Sequence, residues 1–158
     1  MKNLIYISHR GNINGKNPEM ENHPDYIQKA LDLGYDVEVD VWVKGDKFYL
    51  GHDEPKYEIN KDFLKERYTK LWCHAKNIYA LNALLELSHS VNCFWHQNDD
   101  YTLTKFGFIW VYPNKKLIKS KDKKLISNSI AVLPELYPDW DISKAIGICS
   151  DFIANYKK

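Results

Sequence analysis

The run from Val37 to Val43 alternates strictly between valine and a charged or aromatic side chain. Successive side chains of a β-strand point to opposite faces, so the valines share one face and Glu38, Asp40 and Trp42 share the other. Two neighbouring carboxylates repel each other, and burying them is costly unless a cation neutralises their charge. The run therefore predicts either a half-exposed antiparallel strand or a strand that holds a cation. Carboxylate oxygens at this spacing suit Mg²⁺ or Ca²⁺.

Short apolar runs alternate with helical or polar stretches along the whole chain. Strands are predicted at 4–8, 36–43, 48–50, 70–75, 93–96, 108–111, 129–133 and 146–149, and helices at 22–33, 61–67 and 77–87. This order favours parallel strands joined by right-handed crossovers. A complete (β/α)₈ barrel takes about 250 residues, and this chain has 158. We therefore expect one domain, 1–158, folded as a small α/β barrel of the TIM type with several outer helices shortened or missing. An open α/β sheet is the competing layout.

The composition argues against some classes of partner. The net charge is +1, so the protein has no overall positive potential that would favour binding of nucleic acid. The lysine-rich stretch 115–124 is predicted to be a solvated loop. No apolar stretch reaches the roughly 18 residues of a membrane helix, and the N-terminal run is too short for a signal peptide. Three widely spaced cysteines in apolar runs predict buried thiols of a reduced, cytoplasmic protein. The oligomeric state is not fixed by the sequence.

Two histidines follow predicted strands. His9-Arg10-Gly11 ends the first strand, at the carboxyl edge where barrel active sites lie. Arg10 can hold a phosphate oxygen with two parallel hydrogen bonds. His52-Asp53 ends the short strand after a hairpin. A His-Arg pair alone is common and carries little information, and His52 and Asp53 could merely cap a turn.

A third polar face is predicted on the strand at 70–75. Alternation places Trp72, His74 and Lys76 on one side of it. A lysine and a histidine directed into a barrel mouth are costly unless they meet anions. The alternative interpretation is a strand with one face in water.

These motifs occur in a characteristic order along the chain. The order is His9-Arg10-Gly11, Glu21-Asn22, Gly34, Glu38-Val39-Asp40-Val41 and His52-Asp53. It resembles the glycerophosphodiester phosphodiesterase family of the PLC-like phosphodiesterase superfamily. The resemblance is dense over residues 9–53 and thinner afterwards, where Lys76 and Ser150-Asp151 match. The second half of the chain is much shorter than that of the family.

The resemblance implies a role for each matching residue. His9 and His52 resemble the family's acid/base pair, and Arg10 and Lys76 resemble the groups that hold and stabilise the phosphoryl charge. Asn22 matches an asparagine that supports the site. Trp42, on the carboxylate face, is expected to contact the substrate.

The metal ligands implied by the resemblance are Glu38 and Asp40. The family usually has an acidic ligand two residues before the strand lysine, and this chain has His74 there. An imidazole can also bind a metal, so His74 is expected to complete the site. The expected cofactor is Mg²⁺ or Ca²⁺, with Mn²⁺ as a further option.

The function implied is metal-dependent hydrolysis of a small glycerophosphodiester-type substrate. One alternative is a non-catalytic, metal-dependent domain that binds phosphate esters, which the His74 departure favours. Another is a related phospholipase D-like enzyme, or one that forms a cyclic phosphate. A purely structural α/β domain would leave the order of the motifs unexplained.

Overall fold

One sheet of ten β-strands dominates the structure, a computed structural model that describes residues 4–87, 91–112 and 127–157. The strands are β1 (Ile5–His9), β2 (Asp36–Lys44), β3 (Lys47–Leu50), β4 (Tyr57–Ile59), β5 (Leu71–Ala75), β6 (Asn92–Trp95), β7 (Tyr101–Leu103), β8 (Ile109–Val111), β9 (Ser129–Val132) and β10 (Gly147–Ser150). The α-helices of the described part are α1 (Pro24–Asp32), α2 (Lys61–Glu66) and α3 (Ile78–Glu86), and short 3₁₀ helices span Pro134–Leu136 and Ile153–Asn155. All eight predicted strands are present. The three-residue strands β4 and β7 are not predicted by the sequence.

Seven of the strands run parallel, in the order β6-β5-β2-β1-β10-β9-β8. Their register places His9 beside Glu38, and Asp40 beside His74. The C-terminal part of β2, from Val41 to Lys44, pairs antiparallel with β3 through the predicted hairpin at Gly45-Asp46. Strand β4 extends the hairpin, and β7 pairs antiparallel with β8.

The predicted TIM-type barrel is wrong. The sheet curls into a half-barrel, and the described residues contain only three α-helices instead of one helix after each strand. No ladder of paired residues joins β6 to β7 in the described part. Two isolated hydrogen bonds connect β6 to the segment around β7. The Lys105 N–H donates to the Cys93 carbonyl at 2.8 Å, and Thr102 Oγ1 donates to the Trp95 carbonyl at 3.0 Å. The connections after β6 and β9 are too short, or too irregular, to form the covering helices of that fold.

Both long helices begin at side-chain caps. His23 accepts a hydrogen bond from the Asp25 N–H at the start of α1, where Pro24 removes a donor that would lack a partner. Asn77 accepts from the Ala80 N–H at the start of α3 and also donates to the Val43 carbonyl, which ties this helix to β2. Both helices pack against β2.

The two faces of the sheet pack differently. The valines of β2 lie on the convex face with buried residues of the helices: Ile27, Ala30, Leu64, Ala80 and Leu84. The concave face is filled by Ile7, Trp72, Phe94, Trp110, Ile130, Val132, Leu133 and Cys149. This second cluster fills the space inside the curled sheet. Glu38 and Asp40 therefore lie above an apolar floor.

The three cysteines are buried and free, as predicted. No helix in the described residues has the length and hydropathy needed to cross a bilayer. The lysine-rich stretch 115–124, with its predicted loop, lies outside the described residues.

Candidate active site

A cleft of about 490 Å³ opens at the carboxyl edge of the parallel strands. Most of these strands contribute a residue at or just beyond their ends, and β2 contributes Glu38 from its middle, so polar side chains from distant parts of the sequence gather here. The cleft is lined by His9, Arg10, Lys16, Glu38, His52, His74, Lys76, His96, Gln97, Trp110, Tyr112, Val132, Leu133, Leu136 and Asp151.

Glu38 and Asp40 are buried in the middle of β2, 2 % and 0 % exposed. Asn22 holds Asp40 from two sides: its Nδ2 donates to Asp40 Oδ2, and its Oδ1 accepts from the Asp40 N–H, both at 2.9 Å. Asn22 reaches this position with a left-handed backbone, φ 64°. Asp40 is thus fixed before any ligand arrives.

His74 lies beside the carboxylates on β5. Its Nδ1 is 3.1 Å from Asp40 Oδ1 and 3.8 Å from Glu38 Oε1. Its Nε2 is 2.8 Å from the backbone carbonyl of His96. The ring stacks on Phe94, with the two centroids 5.1 Å apart and the planes 6° from parallel. The side chain is therefore held on both its edge and its face.

The two carboxylates behave differently because their surroundings differ. Burial, and then the charge of Asp40, raise the pKa of Glu38 well above its ordinary value. Burial would also raise the pKa of Asp40, but contact with His74 and the charges of Arg10 and Lys76 hold that pKa well below its usual range. The surroundings of Asp40 thus favour its charged form, whereas those of Glu38 disfavour it.

These residues fit a divalent cation. One ligand atom each from Glu38, Asp40 and His74 lie within 4.8 Å of one another. Glu38 Oε2 and Asp40 Oδ1 are buried and have no hydrogen-bond partner. Buried polar atoms are normally satisfied, and these two oxygens, one 3.1 Å from His74 Nδ1 and the other 3.8 Å from His9 Nε2, are free to bind a further positive group.

Two cationic side chains border the cluster. Arg10 Nη1 donates to Glu21 Oε2 at 3.1 Å, and its Nε lies 2.9 Å from Asp40 Oδ2 without the alignment of a hydrogen bond. Burial alone would lower the pKa of Arg10, but the charges of Asp40 and Glu38 outweigh burial and raise it. Lys76 Nζ is 3.5 Å from Asp40 Oδ1. The positive charge is therefore concentrated on the same side of the cleft as the carboxylates.

His9 forms a buried dyad with Asp151. Its Nδ1 is 2.7 Å from Asp151 Oδ1, and its Nε2 is 3.8 Å from Glu38 Oε2. A carboxylate only accepts, so the Nδ1–H donates and Nε2 is left with its lone pair in the neutral ring. Asn12 Nδ2 donates to the same Asp151 oxygen at 2.8 Å and to Glu21 Oε1 at 3.0 Å. Burial would raise the pKa of Asp151, but these bonds and the charge of His9 lower it.

His52 faces the cleft from the loop after β3. Its Nδ1 is 2.7 Å from Asp53 Oδ1, which orients the ring as Asp151 orients His9. Its side chain is 40 % exposed, far more than that of His9. Burial and then the charge of Arg10 lower the pKa of His52, against the smaller opposing effect of Asp40.

The opposite wall of the cleft is apolar. It is formed by Trp110, Val132, Leu133 and Leu136, with Tyr112 at the rim. Leu136 remains 57 % exposed although it lines the cleft. Leu133, at the end of β9, has a left-handed backbone, φ 48°. Together with Arg10 at φ 55° and Asn22, it places backbone strain around the cleft, where strain often accompanies function.

The structure brings most of the predicted site residues together. Those that line the cleft are His9, Arg10, Glu38, His52, His74 and Lys76, and Asn22 and Asp40 lie directly behind it. Trp42 does not line this cleft: its indole donates to the Gly51 carbonyl at 2.7 Å, and it borders a separate groove at the hairpin.

Sequence reasoning did not assign a role to Asp151, Asn12 or Glu21, or to the backbone carbonyl of His96. Asp151 and Glu21 belong to the motifs that carry the family resemblance, so the sequence did contain a signal for these two residues. Asn12 and the His96 carbonyl carry no sequence signal, because their contacts depend on the fold.

No protein-family model and no curated protein matches this chain. The function is therefore inferred from the residues of the cleft.

Proposed function

We propose that this chain is a metal-dependent phosphodiesterase that cleaves a small glycerophosphodiester-type substrate in the cleft. The observation that carries the proposal is a pair of buried oxygens without hydrogen-bond partners: Asp40 Oδ1 faces Nδ1 of His74, and Glu38 Oε2 faces Nε2 of His9. Beside this cation site stand an oriented histidine, His9, and the cationic Lys76. This combination serves a reaction in which negative charge develops on phosphate oxygens while protons move.

The substrate anion is met by positive charge on one side. Glu38, Asp40 and His74 would hold a divalent cation, and when bound it would supply positive charge to the phosphate. Lys76 and Arg10 add their charges at the same edge. Arg10 is already paired with two carboxylates, so its first task is to keep Asp40 and Glu21 in place.

The two histidines divide the proton transfers. Nε2 of His9 takes a proton from the attacking hydroxyl as the new P–O bond forms, and Asp151 stabilises the imidazolium that results. His52 gives a proton to the leaving alkoxide as the ester P–O bond breaks. We assign the acid to His52 because its side chain stands nearer to solvent, where the alcohol departs.

The attacker is either water or a hydroxyl of the substrate. Water gives a phosphomonoester and an alcohol, whereas a substrate hydroxyl gives a cyclic phosphate. Phosphorus NMR of the products distinguishes the two.

The first experiment measures hydrolysis of bis(p-nitrophenyl) phosphate and glycerophosphocholine with EDTA and with Mg²⁺, Ca²⁺ and Mn²⁺. The variants are His9→Ala and His52→Ala. The matched control is His23→Asn, which removes a histidine away from the cleft and keeps a cap for α1. We expect metal-dependent turnover that both cleft variants reduce by about 100-fold or more and the control preserves.

Two results would contradict the proposal. Turnover that persists undiminished in EDTA would exclude the metal site as its source. Binding of the diester without turnover in any metal would instead favour the non-catalytic binding domain.

A second candidate, a phospholipase D-like enzyme for amphiphilic diesters, is favoured by the apolar wall. A diester with one apolar substituent could place its phosphate at Lys76 and its chain against Leu136 and Leu133. If so, lysophosphatidylcholine is cleaved with a higher kcat/KM than glycerophosphocholine, and Leu136→Ser lowers that preference. Equal values for the two substrates would favour the glycerophosphodiester.

The three buried free thiols support a cytoplasmic location for this enzyme, because thiols stay reduced there.

A further inference from the structure

The hydrogen bond at Nε2 of His74 fixes the state of the whole ring. Its partner is the backbone carbonyl of His96 at 2.8 Å. A carbonyl oxygen accepts and never donates, so Nε2 carries the hydrogen. In the neutral ring Nδ1 then has a lone pair, directed at Asp40 Oδ1 and Glu38 Oε1.

Three acceptors therefore converge on one point. The two carboxylates and a lone pair on His74 repel unless a positive group lies between them. A metal ion held between them would satisfy all three groups at once, including Asp40 Oδ1, which lacks a hydrogen-bond partner.

The orientation of His74 is that of a metal ligand in proteins generally. A ligating imidazole almost always donates its other N–H to a carbonyl or carboxylate, which fixes the tautomer and the ring plane. Phe94 stacked on the ring restricts its rotation further. The structure thus prepares Nδ1 before the ion binds.

We infer that this site selects a first-row transition cation such as Mn²⁺, Co²⁺ or Zn²⁺ over Mg²⁺ and Ca²⁺, with Nδ1 of His74 as one ligand. The inference rests on the metal site of the proposed function and defines its cation class. Mg²⁺ and Ca²⁺ prefer all-oxygen sites, whereas imidazole favours the transition metals. This replaces the expectation, based on the resemblance, that Mg²⁺ or Ca²⁺ is preferred.

The test measures binding to the EDTA-treated, full-length protein by isothermal titration calorimetry with Mn²⁺, Co²⁺, Zn²⁺, Mg²⁺ and Ca²⁺. We expect Co²⁺ and Zn²⁺ to bind more than about tenfold tighter than Mg²⁺. The substitution His74→Glu exchanges the nitrogen ligand for oxygen. It should weaken Co²⁺ and Zn²⁺ binding by about 10–100-fold and strengthen Mg²⁺ binding.

A spectroscopic readout identifies the ligand itself. In the Co²⁺ protein the Nε2–H of a ligating histidine gives a strongly shifted, exchangeable proton resonance. The bond to the His96 carbonyl shields this proton from exchange. The resonance should be present in the wild type and in His23→Asn, and absent in His74→Glu. Circular dichroism and thermal unfolding check the fold, and His74→Gln serves where the third carboxylate prevents folding.

Equal affinity for Mg²⁺ and Co²⁺, or a shifted resonance that survives in the folded His74 variants, would overturn the inference. These outcomes are separate from the fate of the proposed function. Tight Co²⁺ binding with the histidine resonance but no diester cleavage would support the cation class and reject the phosphodiesterase. Cleavage supported equally well by Mg²⁺, without that resonance, would support the phosphodiesterase and reject the cation class.

Discussion

His9 and Asp151 are 142 positions apart in the sequence, and their side chains meet at 2.7 Å. The contact exists because β1 and β10 are parallel neighbours, with Ser8 beside Ser150. Each residue of the dyad lies at or just after the carboxyl end of its strand. The ring of His9 therefore has one edge on a carboxylate and the other directed into the cleft.

Asp151→Asn tests this dyad. An amide can offer its oxygen or its nitrogen to Nδ1, and it cannot stabilise an imidazolium as a carboxylate does, so Nε2 of His9 becomes a poorer base. We expect kcat for bis(p-nitrophenyl) phosphate to fall by about 100-fold or more, with a smaller change in KM. Steady-state kinetics checks this. The exposed Asp139→Asn, between β9 and β10, serves as the control and should leave kcat unchanged.

Glu38→Gln should stabilise the metal-free protein. The folded-state pKa of Glu38 is well above the ordinary 4.5, first through burial and then through the charge of Asp40. Its contribution to stability is therefore complete below about pH 4.5 and is lost as the pH rises through the folded pKa. The neutral amide removes that loss. We expect a gain of about 0.5–2 kcal/mol at neutral pH.

Urea unfolding in EDTA, from about pH 5 to about pH 8, measures the effect. The wild type should lose stability across this range relative to Glu38→Gln. With a saturating transition metal the order should reverse, because only the wild type gains the binding free energy, about 2.7 kcal/mol at 100 times Kd. A variant that is less stable than the wild type in EDTA across the range would show that Glu38 is not a strained carboxylate.

Asn22→Ala should destabilise the protein more than Asn128→Ala. Both asparagines have left-handed backbones, at φ 64° and φ 78°, so alanine is strained at each. Asn22 is buried and makes two bonds to Asp40, whereas Asn128 is exposed and bonds to the Gly107 carbonyl. We expect the buried substitution to cost about 1–3 kcal/mol more. Chemical denaturation of both variants checks the difference, and equal losses would contradict it.

Gly51→Ala should displace His52. A Cβ at Gly51 would lie 2.1 Å from the Glu54 carbonyl oxygen, with φ at 152°. Gly107 also has a positive φ, 82°, but a Cβ there meets nothing within 4 Å. Gly51→Ala should therefore cost stability beyond the strain of Gly107→Ala, by about 1–3 kcal/mol. It should also lower kcat, which Gly107→Ala should not. Thermal unfolding and turnover of the pair decide this.

The local features of the site could be predicted from the sequence. The alternation of β2 correctly places Glu38 and Asp40 opposite the valines, because the period of two is a property of each residue's own backbone. The same rule failed to predict the surroundings of Trp42. The parallel pairing of β2 with β5 ends at Val41, and Trp42 instead pairs with Tyr49 on the hairpin.

The long-range features could not be predicted. The sheet curls without a helix after each strand because Trp72, Phe94 and Trp110 fill its concave side, and their packing depends on strands far apart in sequence. The bond from His74 to the His96 carbonyl involves a backbone group, which every residue has. No residue pattern could therefore indicate it.

The pairing of β1 with β10 also has a consequence for the chain while it is being synthesised. One edge of β1 stays unpaired until the much later segment Gly147–Ser150 has been synthesised. An apolar strand with an open edge is prone to pair with other chains. We therefore expect the nascent chain to be most prone to aggregation between the synthesis of β1 and that of β10.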